Sequence, residues 1–107
     1  MSELEFRTEL IEELSWGPGF ITLIEPLEVE IETNPKNGFT TIYAESIQQG
    51  SDGHDYESAL LNLGIAIEDF YTSFSETPRH VRDEHSQAIF DILVEHLPDD
   101  LVADTDR

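Results

Sequence analysis

The sequence predicts an α+β fold: a small antiparallel β-sheet of three to four strands packed against one long helix, with an additional C-terminal helix. Two stretches carry this expectation. In Gly53–Phe74, GHDYESALLNLGIAIEDFYTSF, the residues Tyr56, Ala59, Leu60, Leu63, Ile67, Phe70, Tyr71 and Phe74 recur at steps of three and four, which makes one apolar stripe along a helix. Leu27–Glu32, LEVEIE, alternates apolar with acidic residues, the period of a strand with one buried face and one wet face. At 107 residues the chain suits a single domain with a modest core. Its expected limits are residues 1–98, including an N-terminal extension, followed by an acidic flexible tail over 99–107.

In chain order, residues 3–15 fit two periods. Leu10, Ile11 and Leu14 suit a helical face, whereas Leu4, Phe6, Thr8 and Leu10 suit strand alternation. The reading favours a helix through Leu14, ended by Gly17-Pro18-Gly19, with Trp16 as a lid over the core. Phe20–Ile24 reads as a short strand, and Pro26 marks an edge or a bend because proline cannot donate to a ladder. Leu27, Val29 and Ile31 then face the core, with Glu28, Glu30 and Glu32 outward. Asn34–Gly38 is a hairpin loop and Phe39–Glu45 the return strand, rich in β-branched and aromatic residues. Ser46–Gln49 is expected as a third short strand and Gly50–Gly53 as a flexible turn. Asp55 is the expected N-cap of the long helix, with Glu57 in its first turn where the helix dipole favours negative charge.

Leu61 and Ile65 lie off the main stripe and call for a cover, either the last helix or a second subunit. Thr77-Pro78 is the expected start of that last helix. Val81, Ala88, Ile89, Ile92, Leu93 and Leu97 form its apolar face, and Pro98 ends it.

Twenty-four acidic residues against five basic ones give a formal net charge of −19. No Lys or Arg occurs between Lys36 and Arg79. Direct binding to a phosphate backbone is not expected, since that affinity comes from cationic neutralisation. A basic protein partner fits the charge, as does imitation of nucleic acid or simple solubility. With no cysteine there is neither a disulfide framework nor thiolate chemistry. The acidic N-terminus has no signal-peptide layout and no apolar run is long enough to span a bilayer, so a cytoplasmic protein without membrane association is expected.

Catalytic and metal motifs are weak. Asp52, Asp55 and Glu57 do not follow the calcium-loop template. His80 and His85 do not make the pair a zinc helix uses, and His85 and His96 sit at the border of the last helix's apolar face. His54, between Asp52 and Asp55, is the one candidate for acid–base work. A capping or turn role is the simpler reading, and no enzyme, metal or cofactor is expected.

The turn and helix GHDYESALLNLGIAIE, preceded by the hairpin LEVEIETNPKNGFTTIYAE, resembles the HicB-like antitoxin family. The matching positions are Gly53, His54, Asp55, Tyr56, Glu57, Ser58, Ala59 and Leu60, then Asn62-Leu63, and the likeness covers roughly residues 27–75. It implies a β-β-β-α unit related to part of a double-stranded-RNA-binding domain, without that domain's basic surface. It also implies occlusion of a small basic ribonuclease, HicA-like or other. Many such antitoxins bind operator DNA through an appended domain. The region after Pro78 here has no basic recognition helix, and an acidic N-terminal extension of about 25 residues precedes the match. The resulting expectation is a non-enzymatic acidic binding module, with a homodimer as one expected state, that meets a basic partner through Glu28, Glu30, Glu32, Asp52, His54, Asp55, Glu57, Leu61 and Ile65. A nucleic-acid-mimic inhibitor and a small enzyme using His54 are the alternatives.

Overall fold

In the computed structural model, which describes residues 4–99 and 101, the chain is a four-stranded antiparallel sheet with two helices. The strands are β1 (Glu5–Trp16), β2 (Gly19–Thr33), β3 (Thr40–Ala44) and β4 (Gln49–Gly53), and they lie side by side in sequence order. Helix α1 spans Tyr56–Ser75 and α2 spans Glu84–His96. Short 3-10 turns occupy Glu45–Ile47 and Arg79–Val81.

The favoured helix at residues 3–15 is not formed. From Glu5 to Trp16 the described chain is β1, an edge strand paired with β2 from Glu5↔Thr33 to Trp16↔Gly19. The register slips between Ile11↔Leu27 and Glu13↔Thr22. Glu12 therefore faces four residues of β2, Leu23 to Pro26. The slip lets Ile11 and Leu14, three residues apart, both turn into the core. Their spacing imitates a helix, and Leu10, placed on that supposed stripe, is instead exposed. Pro26 sits in the bend, as expected of a residue that cannot continue a ladder.

β3 pairs only with Glu30–Thr33 of β2, so the rest of the β1–β2 hairpin projects as a two-stranded arm. α1 lies along β1 and over β4, and α2 packs on β2 and the first 3-10 turn. Between these layers sits one core: Ile11, Leu14, Leu23, Leu27, Val29, Ile31, Ile42, Ala44 and Ile47 from the sheet side, with Ala59, Leu63, Ile67, Tyr71, Ile89, Leu93 and Leu97 opposite. The expected α1 stripe is thus buried or half-buried throughout. Asp55 caps α1, its carboxylate accepting from the Ser58 N–H at 2.8 Å.

Gly64 is where α1 meets the arm. A Cβ there would lie 2.6 Å from the Ser15 carbonyl oxygen, so only glycine permits this approach. Trp16 closes over the same end, edge-on to Tyr71 at 5.6 Å.

Three further expectations are corrected. Gly50–Gly53 is no flexible turn; with Gln49 it forms β4, and Ser46 and Ile47 belong to a 3-10 turn ending at Gln48 in the left-handed region (φ 50°). A polar QGSDG edge has no alternation to announce it. It is fixed by pairing with β3, by Ser51 Oγ donating to the Ala59 carbonyl at 2.7 Å and by Asn62 Nδ2 donating to the Asp52 carbonyl at 2.8 Å. The last helix starts at Glu84, not after Thr77, because Asp83 caps it by accepting from the Ser86 N–H; Val81 is left exposed in the preceding turn. Helix α2 does not cover Leu61 and Ile65, which stay 51% and 53% exposed. It turns Phe90 into an aromatic cluster with Phe70, Tyr71 and Phe74, and Arg82 stacks on Phe74 and Phe90. The expected tail is largely outside the described residues.

Candidate partner-binding surface: the outer face of the sheet

Strand alternation decides what the uncovered side of the sheet carries. Leu27, Val29 and Ile31 are buried, so Glu28, Glu30 and Glu32 emerge opposite the helices. The pairing builds three cross-strand rows: Phe6–Glu32–Thr41–Asp52, Thr8–Glu30–Tyr43–Gly50 and Leu10–Glu28. Neighbouring carboxylates along β2 are therefore about 7 Å apart, two strand residues. Phe6 is 70% exposed and Leu10 65%, and the Tyr43 ring lies over Gly50, where a Cβ would approach it to 3.0 Å.

Two adjoining hollows of about 400 and 420 Å³ follow these rows. They share Thr8, Glu30 and Tyr43; one continues to Glu28 and Glu45, the other to Phe6 and Glu32. Arg7 borders the hollow beside Phe6, but its guanidinium turns to the helix side, where it pairs with Glu9 and stacks 5.2 Å from the centre of the Tyr56 ring. The Tyr56 hydroxyl donates to Glu9 Oε1 at 3.3 Å. Burial, with Glu9 alongside, pushes the Tyr56 hydroxyl pKa up.

The expected partner-binding residues separate into three places. Glu28, Glu30, Glu32 and Asp52 share the outer face. His54, Asp55 and Glu57 form the exposed start of α1, where Ser58 lies 3.4 Å from His54 Nε2. The Ser58 N–H and hydroxyl hold the Asp55 carboxyl below its ordinary range. Leu61 and Ile65 lie on the side of α1 remote from the sheet, so one flat partner cannot touch them together with the glutamate row.

Phe6, Leu10, Tyr43 and Glu45 were not among the expected site residues. Alternation over Leu4, Phe6, Thr8 and Leu10 was the available signal, but the helical spacing of Leu10, Ile11 and Leu14 competed with it and was favoured.

Two other histidines hold the fold. His96 Nδ1 donates to the Glu25 carbonyl at 2.9 Å, satisfying the β2 bend, and His85 Nε2 donates to Gln48 Oε1 at 3.1 Å. Among the described residues, no three His, Asp or Glu side chains gather where they could hold a metal ion, and no helix is long and apolar enough to cross a membrane. Family models, curated proteins and solved structures give no match to this chain.

Proposed function

We propose that this protein is a non-enzymatic acidic binding module of the HicB-like kind, which inhibits or sequesters a basic protein by covering its surface. The observation that carries this reading is the outer sheet face. It sets Glu28, Glu30 and Glu32 between Phe6, Leu10 and Tyr43, while the guanidinium of Arg7 at its border turns toward Glu9 and Tyr56. The carboxylates would steer a cationic partner, while the aromatic and aliphatic flanks supply area that loses water on contact. A HicA-like ribonuclease is the partner class the resemblance suggests, and the cytoplasm is the corresponding compartment. On this reading the contact is made by Glu28, Glu30, Glu32, Asp52, Phe6, Leu10 and Tyr43, and Leu61 and Ile65, on the far side of α1, lie outside it.

The test is capture from native lysate at low salt, comparing the wild type with the triple variant E28K/E30K/E32K and with D69K/D91K, which changes charge on the helices. A basic protein retained by the wild type and by D69K/D91K, but weakened roughly tenfold or more by the triple variant, is the expected result. Equal retention by all three proteins, or no basic protein at all, would overturn it. Competition of the captured protein with duplex DNA or RNA then separates nucleic-acid mimicry from occlusion of another surface.

A further inference from the structure

The free edge of β1 has an unusual property: it is complementary to itself. Its straight portion runs from Glu5 to Ile11, where the register slip begins, and Thr8 is the midpoint. Glu5 to Thr8 and Leu10 are all exposed, and Glu9 is half-buried. We propose that two copies of this chain pair through that edge, antiparallel, about a two-fold axis at Thr8, and join their sheets into one of eight strands. The occupant of the edge is a second copy because of what this register brings together.

Thr8 faces its own counterpart. Phe6 of each copy faces Leu10 of the other on the outer side, and Arg7 of each faces Glu9 of the other on the helix side. Thr–Thr, aromatic–aliphatic and opposite-charge pairs are the cross-strand combinations that stabilise a ladder. Neighbouring registers fail on charge. A shift of two residues in one direction sets Arg7 against Arg7 and Glu5 against Glu9. A shift of two in the other sets Glu9 against Glu9. A shift of one places Phe6 and Leu10 opposite residues of the wrong face. Arg7 already lies beside Glu9 within its own chain, so the pairing closes an alternating ring of two guanidiniums and two carboxylates. It also sets Phe6 and Leu10, two of the most exposed apolar side chains, side by side across the seam on the outer face, and removes an unpaired edge of the kind that otherwise invites indiscriminate association.

The proposal is independent of any partner and is tested on the purified full chain. Sedimentation equilibrium of the wild type at micromolar to submillimolar concentration is expected to give the mass of two chains. R7E sets a carboxylate opposite Glu9 of the other copy and is expected to loosen the dimer by roughly tenfold or more. The swap R7E/E9R restores opposite charges only in the register centred on Thr8, and is expected to recover wild-type association. Circular dichroism checks that each variant is folded. Because the chain has no cysteine, T8C provides a separate reading, and a short thiol-to-thiol reagent is expected to link it into covalent dimers faster than T22C, an exposed position on the hairpin arm. A single-chain mass for the wild type, failure of the swap to rescue, or equal cross-linking of T8C and T22C would each overturn the proposal.

Discussion

The two faces of β2 share one backbone and obey different physics. Leu27, Val29 and Ile31 are each 1% exposed against the helices. Glu28 and Glu30, their direct neighbours, stand in water with Phe6, Leu10 and Tyr43 around them. One face supplies the apolar burial that holds the fold, and the other is free to vary its chemistry without disturbing the first. Strand parity therefore separates the side chains that hold the fold from those that meet solvent within a single short stretch.

Substitutions can test that separation. Leu93 has no exposure and closes the core from α2; L93A should lower unfolding free energy by about 3 kcal/mol in chemical denaturation, from lost transfer energy plus the cavity left behind. G64A should cost about 2 kcal/mol, because its methyl meets the Ser15 carbonyl at 2.6 Å and α1 must lift from the arm. H96A should cost about 1 kcal/mol by leaving the Glu25 carbonyl without its donor.

Smaller effects belong to the start of α1 and are read from thermal unfolding against pH. The Asp55 carboxyl is lowered in the folded state, so its contribution is complete above the unfolded value near 3.8 and is lost as pH falls through the folded value. D55N should flatten that acid limb while keeping a cap. Tyr56 is raised, so its contribution is complete below 10.0 and is lost as pH rises toward the folded value; Y56F should flatten the alkaline limb. Smallest is E30Q on the outer face, within about 0.5 kcal/mol of wild type, since it removes no buried contact. A loss comparable to that of L93A would break the division between the faces.

The α+β class, the α1 stripe, the Asp55 cap and the inward set of β2 were legible because each depends on periodicity or capping within one segment. What was not legible depends on pairing between segments. The β1 slip hides a strand behind helical spacing at Ile11 and Leu14. Strand β4 is polar and short, so its identity comes from β3 and from Ser51 and Asn62 bonding to its surroundings. Thr77-Pro78 is a sound local start signal, but the Asp83 cap and the packing of Phe90 determine where α2 begins. In the candidate surface, the glutamate row was visible from LEVEIE alone. Phe6, Leu10 and Tyr43 join it only through register, and Leu61 and Ile65 leave it because a helix has a far side.

The β2 bend has a consequence for the protein during its synthesis. Every strand among the described residues precedes α2 in the chain, so β2 is made before the helix that packs on it. Like charges in a row on the reverse of the same strand disfavour stacking of one such exposed strand on another. The His96–Glu25 hydrogen bond ties α2 to the kink across 71 residues of chain, so the helix and the bend hold each other in place.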